Sequence, residues 1–321
     1  MEREPSPHFS IRSDASLITE IEILTLELKR WKNCGIFSFM KIAIAQISSV
    51  LGDLKNNFEL HLEYIKQAKK GGTDLIVFPE LSLTGYTLKD LVENVAINPS
   101  NNHYINELKL LSRDISIVFG FVEEKERGIF YNSAAFLSKG EISHIHRKVF
   151  LPTYGMFEEG KFFAQGKYFK TFPTPFAKAG MMICYDFLNY GASYVLFAGG
   201  AELIIVISAA PGRGNGKDGR FASQRMWELM GEAISYFSTT FLIYCNRVGT
   251  EDGKIFAGGS FLFNPEGKLL AKAKDIHTDF LIQDIDLHDI NRIRKKRCYK
   301  RDDKPEIILH ALNRAIKSYE D

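Results

Sequence analysis

From Met40 onward the chain alternates between two hydrophobic rhythms. "KIAIAQI", starting at Lys41, alternates as a strand does, and "NNFELHLEYIKQAKKGG" then takes up a helical period that a glycine pair stops. "DLIVFPE" is a short apolar strand ending at Glu80. The pattern predicts helices over Leu88–Val95 and Asn102–Ser112, then strands at "SIVFGFVEE", "IFYNSAAFLS" and "GEISHIHRKVFLP", the last ending near Lys148. "KAGMMICYDF" is the next strand, "YGASYVLFAGG" a helix, "AELIIVISAA" a strand and "GRFASQRMWELMGEAISYFS" a long helix. "TFLIYCNRVG", "IFAGGSFLFNP" and "GKLLAKA" read as strands, with "NPEG" as a hairpin turn and a last helix after Pro305. Strands mixed with helices predict an α/β layered sandwich.

Residues 1–39 follow a different pattern. Pro5, Pro7 and scattered polar residues precede "SLITEIEILTLELKRW", an amphipathic stretch from Ser16 to Trp31. It reads equally as a dimer-contact helix or as a frayed extension, and Met40 is a possible alternative start. The expected division is an extension over 1–39 and one domain over 40–321, C-terminal arm included.

Composition narrows the function classes. With 321 residues, 45% apolar and 25% charged, the chain is long enough to bury a core without covalent staples. A net charge of +2 implies no polyanionic partner. The four cysteines, Cys34, Cys184, Cys245 and Cys298, form no C-x-x-C pair, so reduced thiols and a cytoplasmic location are expected. No apolar run reaches the roughly 18 residues of a membrane span, and the N-terminus lacks the basic-then-apolar order of a secretion signal.

Three strand-like segments end on reactive side chains: Glu80, Lys148 and Cys184. Together they offer a base, a positive charge and a nucleophile. A thiolate is the attacking species, and a neighbouring cation is expected to lower its pKa. Lys148 would face a developing oxyanion and Glu80 would carry protons. Taken singly, each has a bland reading, because a buried thiol is usually a small inert apolar group.

The strings around these residues change the balance. "FPELSLTGY", "HRKVFLPTYGMFEEGKFF" and "GMMICYDF" resemble the glutamate, lysine and cysteine motifs of the nitrilase superfamily, the carbon–nitrogen hydrolases, in the same order and at matching intervals. "NRVGTEDGKIFAGGSFLFNPEGKLLAKA" resembles the family's later segment, and the likeness covers about residues 40–310. The resemblance implies a four-layer αββα sandwich that dimerises sheet to sheet, a Glu80–Lys148–Cys184 triad, no cofactor and no metal. It makes Glu159 a second glutamate that orients Lys148 and the substrate nitrogen, and Tyr185 N–H an oxyanion donor. Tyr86 closes the glutamate motif and joins the auxiliary set.

"LTGYTLKDL", "LPTYGMFEEGKFF" and "NRVGTEDGKIFAGGS" are most similar to the glutamine-hydrolysing domain of glutamine-dependent NAD synthetases. That likeness makes Tyr154, Ser208 and Lys217 substrate contacts. It also exposes a departure: the family's glutamine-contacting serine is Ala210 here, and its asparagine is Ser208. No ATP-handling "SGGxDS" loop is found, and "FLNYGAS" lacks the proline and glutamate that many stand-alone relatives carry after the cysteine motif. The expected activity is hydrolysis of a small amide through a thioester by a homodimer or larger homo-oligomer. A glutaminase-like subunit feeding ammonia to a separate synthetase, and an inactive binding protein of the same fold, stay open as alternatives.

Other motifs carry less. "APGRGNGKDGR" fails the phosphate-loop pattern, since Pro211 and Asp218 stand where glycine and a hydroxyl are needed, and reads as a flexible, gating loop. His144 and His146 share one strand face without further metal ligands and read as a surface pair. The basic run Arg292–Arg301 is followed at once by acids and reads as a solvated or subunit-contacting tail, so neither nucleic acid nor membrane is an expected partner.

Overall fold

A computed structural model describes residues 39–216 and 219–317. The chain divides into two units, Met1–Phe39 and Met40–Asp321; the elements below make up the second, the first strand starting one residue ahead of it. The helix expected over Ser16–Trp31 lies outside the described residues.

Two six-stranded sheets are stacked. The first is built from β1 (Phe39–Gln46), β2 (Leu75–Val77), β3 (Ser116–Glu126), β4 (Ile129–Ser138), β5 (Glu141–Arg147) and β14 (Asp279–Asp286), in the order β14-β1-β2-β3-β4-β5. The second takes β6 (Thr171–Pro173), β7 (Lys178–Ile183), β8 (Leu203–Ser208), β9 (Phe241–Asn246), β12 (Phe261–Phe263) and β13 (Leu269–Lys272), in the order β13-β12-β9-β8-β7-β6. A separate hairpin pairs β10 (Val248–Glu251) with β11 (Lys254–Ala257). In each sheet a parallel trio lies inside: β1, β2 and β3 in one, β7, β8 and β9 in the other. β5 pairs antiparallel to β4, and β4 antiparallel to β3, so β5 runs with the parallel trio. The carboxyl ends of such strands are where an open α/β sheet holds its ligands.

Alternation places the two faces of each strand in different cores. Ile42, Ile44, Val77 and Phe136 meet Met181, Ile183, Ile205 and Ile243 between the sheets. Ala43, Ile76 and Phe119 point the other way, onto Phe58 and Ile65 of α1 (Leu54–Lys70) and Ile105 and Leu108 of α3 (His103–Leu111). A single turn, α2 (Val92–Val95), lies between those helices in sequence. On the far side, Leu196 of α6 (Tyr190–Ala198) and Trp227 and Ile234 of α7 (Ala222–Ser238) cover the second sheet. The result is a four-layer αββα sandwich whose inner strands are buried on both faces, which is why they read as nearly continuous apolar runs.

Local signals account for the helix ends. Asp53 accepts the Asn56 N–H ahead of α1, Lys69 and Lys70 occupy its last turn, and Asn102 caps α3 through the Tyr104 and Ile105 N–H groups. Two expected strands are each split. "IFAGGSFLFNP" breaks into β11 and β12 at Gly258 and Gly259, whose φ values of 60° and 68° end an extended run. "TFLIYCNRVG" breaks into β9 and β10 at Arg247. β6, β14 and α8 (His288–Lys296) are additions. α8 buries only Ile290 and Ile293, so its charged majority hid it. The chain closes with the short α9 (Tyr299–Asp302) and α10 (Pro305–Lys317). None of the described helices is long and apolar enough to cross a membrane.

Candidate active site

Glu80, Lys148 and Cys184 each stand just past a strand: β2, β5 and β7 respectively. The loop carrying Glu80 runs so close to β3 that a Cβ on Gly120 would lie 2.2 Å from the Leu81 nitrogen. Glycine is therefore required there for Glu80 to reach the interior. Leu81 itself turns the chain at φ 48°. Cys184 leaves β7 at φ 45° and ψ −100°, a strained conformation for a residue with a side chain, and opens the single turn α5 (Tyr185–Leu188). Its own N–H is tied to the Ile207 carbonyl at 2.8 Å.

A continuous polar network joins these ends. Lys148 Nζ donates to Glu80 Oε1 at 2.7 Å and to Glu159 Oε1 at 2.7 Å. Glu80 Oε1 also accepts from Asn132 Nδ2 at 2.7 Å, and Oε2 from the Ala209 N–H at 2.7 Å. Tyr86 OH donates to Glu159 Oε1 at 2.5 Å. Glu159 starts another single turn, α4 (Glu159–Phe162), and its Oε2 has no hydrogen-bond partner among the described residues despite its burial. Cys184 lies within electrostatic reach of Glu80, Lys148 and Glu159, and the nearby Ser208 hydroxyl favours its ionised form. Tyr244 OH in turn donates to Ser208 Oγ at 3.1 Å.

Burial sets the protonation pattern. It would pull the Lys148 ammonium down, but Glu159 and Glu80 outweigh it and hold Lys148 charged far above its usual range. Burial raises Glu159 to about 7 although Lys148 opposes the rise. Burial, reinforced by Glu80, also pushes the Cys184 thiol up, and Lys148 does not reverse it. The neighbouring ammonium does lower the thiol pKa, as expected, but by less than burial raises it. The balance of these influences favours the protonated thiol in the resting site.

Cys184 is only 5% exposed, yet it is not sealed. It opens on a cavity of about 60 Å³ whose walls include Tyr154, Tyr185, Phe157, Trp227 and Arg213. Tyr154 and Tyr185 lie with ring centroids 5.7 Å apart. Of the anticipated residues, Glu80, Lys148, Glu159 and Tyr86 meet in one network, and Tyr154 and Tyr185 join Cys184 at the cavity. Ser208 sits under the sulfur, and Lys217 lies outside the described residues.

Several supporting residues were not foreseen. Asp186 accepts from the Val149 and Phe150 N–H groups at 3.0 and 2.9 Å, from the Ile183 N–H at 3.1 Å, and bonds His146 Nε2 at 2.9 Å. It thereby ties the Cys184 turn to the segment following Lys148. His146 is not on the surface, as its strand-face pairing suggested, but buried and stacked on Phe169; His144 stacks on Phe172. Among the described residues no group of three or more His, Cys, Asp or Glu could hold a metal. On the other side, Glu251 accepts the Tyr86 and Thr87 N–H groups at 3.0 and 2.9 Å and forms a buried ion pair with Arg247. The acid in "NRVGTEDG" was the only hint of this clamp.

This arrangement on this sandwich defines a carbon–nitrogen hydrolase, and residues 41–295 match the carbon-nitrogen hydrolase family. The chain belongs to that family. It is 32% identical over 284 residues to the glutamine-dependent NAD(+) synthetase of Acinetobacter baylyi, covering 87% of this chain and 50% of that protein. It is 30% identical over 267 residues to an (R)-stereoselective amidase from a Pseudomonas species, covering 82% of this chain and 91% of the relative. Among solved structures it resembles a carbon-nitrogen hydrolase from Helicobacter pylori G27, with a TM-score of 0.74, 25% identity, and coverage of 86% of this chain and 99% of that one. The chain spans about half the length of the NAD synthetase it matches.

Proposed function

We propose that this carbon–nitrogen hydrolase is a cysteine-dependent amidase acting on a small amide. The Cys184 sulfur attacks the amide carbon while Glu80 takes the thiol proton, because the resting group is a neutral thiol. Lys148 Nζ and the Tyr185 N–H hold the oxyanion. Glu80 then delivers its proton to the departing nitrogen, so the C–N bond breaks and ammonia or an amine leaves a thioester on Cys184. Water adds to the thioester as Glu80 removes its proton, and the proton returns to sulfur as the acid is released. Glu159 keeps Lys148 pointed at the reacting carbon. The observation that carries this reading is the single ammonium shared at 2.7 Å by Glu80 and Glu159, in electrostatic reach of a thiol that opens on a cavity.

The test is an ammonia-release screen over glutamine, asparagine, aliphatic amides, ω-amides and carbamoyl compounds, with Cys184→Ala alongside. The variant is expected to fold and to release no ammonia; turnover by Cys184→Ala would end the proposal. The similarity to half of an NAD synthetase supports a second reading, in which the ammonia serves a separate synthetase. That reading expects weak turnover until a synthetase is added. We further propose a homo-oligomer, supported by the apolar side chains left exposed along α10.

A further inference from the structure

The cavity above Cys184 holds an unmatched charge. Of the described residues lining it, Arg213 alone is charged; the rest of the wall is tyrosine, serine and apolar side chains. The Arg213 guanidinium lies over the Phe157 ring at 4.8 Å and 5.8 Å from the Tyr154 ring centroid. It forms no ion pair or side-chain hydrogen bond with any described residue, whereas Arg147, Arg220 and Arg247 all engage carboxylates. Its backbone is fixed: Arg213 N–H donates to Ser223 Oγ at 3.0 Å and Ser223 N–H to the Arg213 carbonyl at 3.1 Å, pinning the residue to the start of α7. A guanidinium held on aromatic rings beside an apolar wall keeps its fork of donors free. In such surroundings its attraction for an anion exceeds that of a solvated surface charge.

We propose that Arg213 binds a carboxylate of the substrate, so that the site selects small amides bearing an anionic group. The motif resemblance assigned substrate contacts to Tyr154, Ser208 and Lys217 and left this position unassigned. The inference rests on the amidase reading and names its substrate class. Arg213 sits at the cavity wall, outside the network that holds the triad, so its contribution falls in binding and is read in KM rather than kcat. The cavity's small volume favours a short aliphatic chain between the amide and the anion.

The experiment compares kcat/KM for glutaramate, the uncharged amide of the same carbon count (pentanamide) and the ω-amino analogue of the same length, in the wild-type protein, Arg213→Met and Arg213→Glu. The wild type is expected to prefer glutaramate to pentanamide by about tenfold or more, the worth of one charge-assisted contact. The ω-amino amide should rank last. Arg213→Met is expected to bring glutaramate within about threefold of pentanamide, chiefly through KM, and Arg213→Glu to rank the ω-amino amide above glutaramate. Because ratios are read, a general loss of folded protein in either variant does not imitate the result. Turnover of pentanamide through Cys184 with no preference for the anion, or ratios unchanged in both variants, overturns the role of Arg213 and leaves the amidase reading standing. Absence of turnover and of any acyl adduct on Cys184 with all three amides overturns both.

Discussion

Cys184 is a buried thiol whose proton is held more tightly than in water, because burial and the Glu80 carboxylate outweigh the Lys148 ammonium. Its alkylation by iodoacetamide should therefore climb with pH and show no plateau below about pH 9, the range in which an activated thiolate levels off; a plateau near neutrality would contradict the neutral resting thiol. Glu159 gives a second pH signature. Burial raises it from 4.5 to about 7, so the folded state favours its protonated form. The associated stability is present below pH 4.5 and is lost as pH rises through about 7. Activity moves the opposite way, because only the ionised carboxylate pairs with Lys148. The kcat/KM profile should rise with a midpoint near 7, and Glu159→Gln should abolish that limb and lower activity about a hundredfold. A profile unchanged in that variant would remove Glu159 from the mechanism. At this scale Glu80, Lys148 and Cys184 could be singled out in the sequence, since each sits in a compact motif. The reason an aspartate follows Cys184 and Tyr185 was not legible there. Asp186 finds its partners 36, 37 and 40 residues away, on and beyond β5, a distance no local pattern reports.

Between elements, the site depends on close backbone approaches. Gly120→Ala would place a Cβ against the Leu81 nitrogen and force the Glu80 loop outward. The expected cost is at least about 3 kcal/mol, beyond ordinary overpacking because backbone must move, and it should be visible as a drop in the urea midpoint with activity lost. A near-neutral effect would mean that the loop has room the structure does not provide. α1 carries a pH dependence of its own. His61 is buried, bonded to the Asn57 carbonyl and Ser82 Oγ and packed on Phe78, and burial lowers it to about 4. Its stabilising contribution is present above pH 6.5 and fades as pH falls towards 4, by an amount on the order of 3 kcal/mol. His61→Asn should flatten that acid limb in denaturant titrations. Long periodic elements such as α1, α3 and α7 could be read directly from spacing. The breaks at Gly258–Gly259 and Arg247 were passed over, because strand-like residues resume directly after two polar or glycine positions, too short an interruption to read as the end of a strand. The half-buried β14 and charged α8 present too narrow an apolar stripe to signal themselves.

Across the whole molecule, the sandwich covers its inner strands but leaves apolar surface at the C-terminal arm. Ile307, Ile308, Leu309, Leu312 and Ile316 of α10 are each 45–60% exposed. Five large apolar side chains on one solvent-facing helix form a patch of the kind that marks an association surface. Sedimentation should accordingly find a dimer or larger homo-oligomer, and Leu312→Glu with Ile308→Glu should shift it towards monomer; a monomeric wild type at micromolar concentration would refute the proposed assembly. The central claim concerns chemistry, and its sharpest test is intact-mass measurement of the protein quenched within its first turnovers of an amide it hydrolyses. The mechanism requires a gain equal to the substrate's acyl group, located on the peptide containing Cys184 and formed together with one equivalent of released ammonia. Steady ammonia release with that peptide never acylated would contradict it.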